Sequence, residues 1–213
     1  TQLRRFFTST FSVPTPAVRG GDFGGLAPIC DPSQIAATGV CAPFPGNYIP
    51  RERIDPIAAA FLEHVPMPSS TAAVQNLTVA EESARRISQV SARVDHRISD
   101  ADQLFARFSA FDAEERQPFG ASVLQESLVP GFGRRLTTRA RNAVASHTRV
   151  FGTSRLNELR VGWMRVDGGQ VSVNQGHGFA SRAGLLGVTD DPRDAGFPQI
   201  STGGLYSTMG DPT

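Results

Sequence analysis

Between residues 86 and 112 the chain alternates apolar and polar side chains in two runs separated by a short polar segment. In the first run Val90, Ala92, Val94, His96 and Ile98 interleave with Gln89, Ser91, Arg93, Asp95 and Arg97, the period of two expected of a β-strand. Ser99-Asp100-Ala101-Asp102 has the small polar side chains of a turn. Leu104, Ala106, Phe108 and Ala110 then share one face, and Arg107 and Ser109 the other, which Phe105 and Phe111 blur. A soluble sheet with one wet face reads the same way, so length decides. Strands of globular proteins usually have five or six residues, whereas a membrane-crossing strand needs about 9 to 11. Ten residues at about 3.3 Å each, tilted about 45°, climb about 23 Å, close to the apolar height of a transmembrane barrel wall. Each run is about that long.

A second strand pair is expected over residues 136–167. Leu136, Ala140, Val144 and Val150 alternate with Arg139, Arg141, His147 and Arg149, and Gly152-Thr153-Ser154 makes a short turn. Leu159, Val161, Trp163 and Val166 then oppose Glu158, Arg160 and Arg165. Val166 and Arg165 break strict parity, which predicts a bulge or strand end near Met164. Residues 1–13 read as a strand that Pro14 and Pro16 terminate. The long connection 14–85 is so dense in Pro and Gly up to Pro50 that no regular element of any length is expected there. Further along, Asp55-Pro56 supplies an N-cap and a first-turn proline for a short helix at 56–64. Residues 113–135 and 168–213 are further long connections, with a possible helical turn from Phe179 to Leu186. Tight turns and long connections therefore alternate, the asymmetry of a membrane barrel with short periplasmic turns and long extracellular loops. The expected fold class is all-β, a partial antiparallel transmembrane β-barrel.

Composition narrows the function classes. The chain has 213 residues, 39% of them hydrophobic, which is ordinary for a folded protein. A formal net charge of +1 gives no global field for nucleic acid, and none is expected as a partner. All the basic residues are arginine and they are spread along the chain. No run of 18 or more apolar residues exists, which excludes helical membrane spans but not a barrel. Thr1-Gln2-Leu3-Arg4-Arg5 lacks the core of a signal peptide, and with the ending Gly210-Asp211-Pro212-Thr213 it reads as a fragment of a longer chain. Cys30 and Cys41 flank a Pro/Gly-rich loop, either as two thiols or as a disulfide. The bonded form would stabilise the loop by roughly 2 to 3 kcal/mol and would point to an oxidising compartment.

Several motifs carry a family resemblance. Arg19-Gly20-Gly21-Asp22-Phe23, Cys30-Asp31-Pro32, Pro43-Phe44-Pro45-Gly46-Asn47-Tyr48-Ile49-Pro50, Arg53-Ile54-Asp55-Pro56 and Pro66-Met67-Pro68 resemble the first large barrel loop of Oar-like TonB-dependent outer-membrane receptors. Arg93-Val94-Asp95-His96-Arg97, Asp102-Gln103-Leu104-Phe105-Ala106-Arg107 and Asn157-Glu158-Leu159-Arg160 are similar to that family's strand hairpins. The resemblance implies a barrel of about 22 strands with an N-terminal plug, importing a scarce nutrient such as a siderophore, cobalamin, glycan or peptide with energy delivered through TonB. Plug and TonB-box segments are not found in this chain, so contact with TonB is expected through a region of the parent outside it. The remaining expected partners are outer-membrane lipid and a small ligand that the sequence does not specify.

Candidate chemistry is sparse. No nucleophile elbow, phosphate-binding loop, paired Cys-x-x-Cys or zinc-protease helix occurs, so neither an enzyme nor a cofactor is expected. Asp95 and His96, as strand neighbours, face opposite sides, which disfavours a metal pair. Asp190, Asp191 and Asp194 lack the ligand spacing of a calcium loop. Asn76-Leu77-Thr78 matches a glycosylation sequon without supporting context. The expected functional surfaces are an interior polar set, Arg93, Asp95, Arg97 and Arg107, and a lipid-facing set, Val90, Val94, Leu104 and Phe108. The oily positions of both hairpins are expected to look outward together, with Trp163 in an interfacial girdle or an ordinary core. The alternative is a secreted or surface β-rich adhesion or carbohydrate-binding module, in which another layer would cover Val90, Val94, Leu104 and Phe108.

Overall fold

A computed structural model describes residues 1–119, 128–189 and 191–212. Five strands, β1 (Gln2–Phe11), β2 (Leu77–Arg97), β3 (Asp102–Gln117), β4 (Arg134–Phe151) and β5 (Arg155–Ser172), form one antiparallel sheet in chain order. β2 and β3 pair in a continuous register from Arg85 opposite Glu115 to Arg97 opposite Gln103, with Val94 opposite Ala106. The turn between them is organised by Ser99. Its Oγ accepts from the backbone N–H groups of Ala101 and Asp102 at 3.1 and 3.0 Å and donates to Asp102 Oδ2 at 2.8 Å, which satisfies the polar groups that a tight reversal leaves open.

The strands are longer than their alternation predicts. β2 runs for 21 residues, β3 for 16, and β4 and β5 for 18 each. The connections expected at 14–85, 113–135 and 168–213 are shortened at each strand end. Backbone pairing needs no side-chain alternation, and the extra segments lack it. Glu81 to Arg86 carries polar groups on both faces, yet to either side of it Thr1 and Ile87 exchange two backbone bonds of 2.8 Å and the Thr10 and Thr78 hydroxyls meet at 3.0 Å. The bulge expected near Met164 is also absent, because β5 is uninterrupted from Arg155 to Ser172.

The chain divides into two compact units. The first comprises Thr1–Arg5, Ser83–Gln117 and Arg135–Val171, and is sheet throughout. The second comprises Phe6–Glu82, Pro118–Arg134 and Ser172–Thr213, the connecting segments with the adjoining strand ends. It has its own core, in which Phe11, Val13, Phe61, Val129 and Phe132 are almost fully buried. Phe61 lies against Phe132, Phe179 and Phe197 with ring centroids 5.8 to 6.1 Å apart, a spacing at which aromatic pairs attract beyond their area burial.

Contrary to the expectation from Pro and Gly density, residues 14–50 contain regular turns. Thr15 caps α1 (Pro16–Arg19), and Asp31 caps α2 (Pro32–Thr38), each with proline in the first turn. Proline is tolerated there because its missing N–H would have no helical partner. α2 stops at Gly39, whose φ of 70° is left-handed. α3 (Pro56–Leu62) falls within the span expected for it, with Asp55 Oδ1 accepting from Ile57 and Ala58 N–H at 2.7 and 3.3 Å. α4 (Phe179–Arg182) is a single turn.

Candidate functional site

The two faces of the sheet unit carry opposite profiles along the strand direction. On one face of β2 and β3 the register brings together Val90, Ala92 and Val94 with Ala110, Phe108 and Ala106. Val90 and Val94 are 61% and 64% exposed, Phe108 45% and Leu104 40%. A shallow depression on this face is lined by Val94, Phe108, Ala143, Ala145, Val161 and Trp163, so β4 and β5 extend the apolar band. Charged groups close the band at both ends. Towards the tight turns, Asp102 receives His147 Nε2 at 3.1 Å and Arg149 Nε at 3.6 Å. Towards the long connections, Asp112 accepts two bonds from Arg141 at 3.0 and 2.9 Å, and Arg165 pairs with Asp167 at 2.7 Å.

On β2 and β3 the opposite face is polar at mid-height. Arg93 and Arg107 stand directly across from each other, as do Ser91 and Ser109, whose hydroxyls are 3.1 Å apart. Arg93 grips Asp95 with two bonds of 2.7 Å and lies over the Phe105 ring at 4.6 Å, while Arg107 donates to Ser91 Oγ at 3.3 Å. Arg97 reaches instead to Asp100 in the turn, at 2.8 Å. Arg93, Asp95, Arg97 and Arg107 thus share one face, but only Arg93 and Asp95 bond to each other. From the second hairpin, Glu158 accepts from Ser146 at 3.1 Å and from Arg160 at 2.6 Å on this side.

The facing expected for β4 is reversed. Arg139, Arg141, His147 and Arg149 bond to Asp112 and Asp102, which share the parity of Phe108 on β3, so these residues lie on the Val94 face with Ala143 and Ala145 between them. Leu136, Ala140, Val144 and Val150 consequently lie on the Arg93 face. The arginines mark the edges of the apolar band rather than its back. Arg165 likewise shares a face with Trp163 and ends the band on β5, which removes the reason for a bulge. Trp163 is 52% exposed and lies at that edge.

In the second unit, the motif residues that carry the family resemblance fix the loop's shape. Arg19 donates to the carbonyls of Pro14, Leu62, Val65 and Pro66 at 2.6 to 3.0 Å, joining the last carbonyl of α3 to those of the segment that follows it. Burial holds its guanidinium below the ordinary arginine range. Gly21 has φ 93° and packs so closely on Ile49 that a Cβ would collide with the Ile49 carbonyl. Cys30 and Cys41 are bonded, with Cα atoms 5.1 Å apart. Asp31 caps α2 and takes two bonds from Arg53 at 2.5 and 2.8 Å. That arginine is the main reason its carboxyl sits well below the usual carboxylate range. Asn47 Oδ1 accepts from Ile29, and its Nδ2 donates to the carbonyls of Phe23, Leu26 and Ala27. Asn76 of the sequon is 1% exposed and spends its amide on Val13 and Ala72, a position closed to glycosylation.

An apolar cavity of about 360 Å³ lies within this unit, walled by Val18, Phe23, Ile49, Ile54, Phe61 and Met209 among others. Its charged neighbours Arg19, Arg53 and Asp55 are engaged in the bonds above, so its free surface is apolar. Among the described residues no group of three or more His, Cys, Asp or Glu side chains is placed to hold a metal. Asp191 is paired with Arg193 at 2.6 Å, and Asp190 lies outside the described residues. Among the described residues no helix is long and apolar enough to cross a membrane, which does not bear on crossing by strands.

One bare apolar band bounded by charge, backed by a polar face, is the surface pattern of a β-sheet that crosses a bilayer as part of a barrel wall. The chain belongs to the outer membrane β-barrel domain family, whose model matches residues 1–213. No curated protein and no solved structure matches it. The family places the protein in the outer membrane of a Gram-negative bacterium.

Proposed function

We propose that the chain is barrel wall and extracellular loop of a TonB-dependent receptor of the Oar-like type, which captures a scarce small nutrient outside the cell and admits it through the barrel. In this reading Val90, Val94, Leu104 and Phe108 meet lipid, whereas Arg93, Asp95, Arg97 and Arg107 line the aqueous interior. The observation that carries it is that the long connections fold into a unit with its own core, a disulfide and capped helices. Loops with no task beyond linking strands need none of these. The adhesion-module alternative requires a second layer over the apolar band, and the exposure of Val94 and Trp163 weighs against it. The protein acts in binding and transport rather than catalysis.

The test is uptake in the native host under nutrient limitation, with ferric siderophores, cobalamin, oligosaccharides and peptides as labelled probes. Deleting the receptor and deleting TonB should abolish uptake of the same probe. Uptake that depends on the receptor but not on TonB would refute energised import. If no probe were lost in the receptor deletion while cells lost attachment to a surface or glycan, the adhesion reading would replace it.

A further inference from the structure

Five residues in the wall of the cavity of about 360 Å³ have polar side chains, namely Arg19, Arg53, Asp55, Thr202 and Tyr206. Four of them are spent within the protein. Arg19 is bonded to backbone carbonyls, Arg53 grips Asp31, and Asp55 caps α3. Thr202 Oγ1 accepts from the backbone N–H of Tyr206 at 3.1 Å and donates to its carbonyl at 3.4 Å. The remaining group is the Tyr206 hydroxyl, which is buried and has no hydrogen-bond partner among the described residues, in a residue only 8% exposed. A buried hydroxyl left unpaired costs about 1 to 3 kcal/mol, and native structures rarely keep one without a reason. Burial also pushes its pKa above the ordinary tyrosine value, so it stays a protonated donor. Tyr206 and Val18 border a second, smaller cavity as well, beside Thr15, Asp22 and Thr71. The ring therefore has free space in which to turn its hydroxyl towards a ligand in the larger one.

We infer that the larger cavity binds a small apolar molecule carrying one oxygen acceptor, to which the Tyr206 hydroxyl donates. The inference deepens the import reading, on which its biological role rests, by naming the class of cargo. Volume fits such a molecule. A dry aliphatic cavity of roughly 150 Å³ holds benzene, so this one has room for a two-ring compound or an acyl chain of about ten carbons. The wall fits it too, because Val18, Phe23, Ile49, Ile54, Phe61 and Met209 offer apolar contact, the usual lining of a small-molecule site with few, placed polar groups. A glycan or any other ligand rich in polar groups would leave most of them unpaired against this wall.

The experiment uses the full-length receptor in phospholipid nanodiscs with isotope-labelled methionine methyl groups. Nuclear magnetic resonance follows the Met209 methyl in the cavity wall, assigned by its loss in Met209→Leu. The probes are methyl naphthyl ketone, which has one acceptor oxygen, and isopropylnaphthalene, which has the same shape with a methyl group in place of that oxygen. Both should shift the Met209 resonance saturably and leave the exposed Met67 and Met164 unmoved. Tyr206→Phe should weaken the ketone about three- to tenfold, as expected for one hydrogen bond, and leave isopropylnaphthalene unchanged. Ala58→Trp, at an exposed position of the wall, should abolish the shift with both probes. Because the hydroxyl is unpaired in the free protein, Tyr206→Phe should leave the protease resistance of the loop unit on heating unchanged or greater. A Met209 resonance that neither probe moves, a Tyr206→Phe effect that is absent or equal for the two probes, shifts that survive Ala58→Trp, or a loop unit weakened by Tyr206→Phe would overturn the inference. Uptake assays keep the import reading distinct. TonB-dependent uptake of a polar probe with Met209 unmoved would sink the apolar cargo alone, whereas the expected binding pattern without TonB-dependent uptake of any probe would sink import and leave the site standing.

Discussion

Replacing Val94 by arginine tests the facing of the sheet where the cost should be largest. Val94 stands opposite Ala106, which lies four residues from Asp102 and six from Asp112. At about 3.3 Å per residue and a tilt of about 45°, that places it about 9 Å from one charged edge and about 14 Å from the other, close to the midplane. Arginine at the midplane of a barrel's lipid face costs about 2 to 4 kcal/mol, so the ratio of folded to unfolded protein should fall by about 30-fold or more. The assay is urea unfolding of the receptor inserted in phospholipid vesicles. With an m-value of about 1 to 3 kcal/mol per M, the midpoint should drop by about 1 M or more while m stays constant. The control is Met164→Arg. Met164 is 70% exposed and lies on the polar face behind Trp163, where a charged residue should cost about 0.5 kcal/mol. Equal costs for the two variants, or a smaller one for Val94→Arg, would refute the assignment of faces.

Further outcomes follow from the same structure. Arginine at Ala143 should destabilise the inserted protein more than arginine at its neighbour Val144 in the same urea assay, because Ala143 lies within the band. The opposite order would restore the facing that hydropathy predicts for β4. Replacing both Cys30 and Cys41 by serine should lower the stability of the loop unit by about 3 kcal/mol in the loop-entropy picture, read as earlier protease cleavage between α2 and α3 on heating. Arg19→Ala should cost about 2 to 4 kcal/mol by removing the arginine donor from the carbonyls of Val65 and Pro66 and leaving Leu62 only its bond from Val65 N–H, seen as faster hydrogen exchange at the C-terminal end of α3. His177 stacks on Phe197 at 4.7 Å, and burial, followed by Arg182 and His64, holds its pKa below the ordinary histidine value. The folded state therefore rejects the proton that the unfolded state accepts, so its contribution is full above about pH 6.5 and falls as the solution is acidified below that. The protection of amides around Phe179 and Phe197, taken relative to the intrinsic exchange rate at each pH, should fall from about pH 7.5 to 5.5, and His177→Phe should flatten that dependence.

The first hairpin is legible because its turn and its alternation agree. Once Ser99 to Asp102 is a tight turn, the pairing of Val94 with Ala106 follows, and with it the common face of Arg93, Asp95, Arg97 and Arg107. β4 defeats the same reasoning for a physical reason. Its face towards the band carries only two small residues, Ala143 and Ala145, between Arg139 and Arg141 on one side and His147 and Arg149 on the other. Summed along the strand that face is polar, although at the depth of the band it is apolar. A membrane strand is sorted by depth as well as by parity. Arg165 follows the same rule, since as a departure from alternation it implies a bulge, whereas as the residue that ends the band on β5 it needs none. The extra strand length is hidden for a related reason, because beyond the band polar residues such as Glu81 to Arg86 fall on both faces while the backbone ladder continues.

The loop unit was only partly legible, and what was missed shows what its motifs are for. Its core joins Phe11, Phe61, Phe132, Phe179 and Phe197 from separate segments of the chain, so no periodicity announces it. The motifs that carry the family resemblance were visible from residue identity alone, but their identity does not reveal their work. In the structure Arg19 gathers the end of α3, Asp31 joins α2 to Arg53, Asn47 ties four backbone groups, and Gly21 makes room for Ile49. Each of these groups is consumed by the protein itself, which leaves none of them free to select a ligand. Under the proposed import function, a shared loop architecture is compatible with different cargoes, and selectivity is assigned to the apolar wall of the cavity, Val18, Phe23, Ile49, Ile54 and Met209, and to exposed side chains around it. Substitutions there should alter which probe is taken up while sparing the fold. Substitutions at Arg19 or Asn47 should lower uptake of every probe together, because they remove the frame on which any selectivity is built.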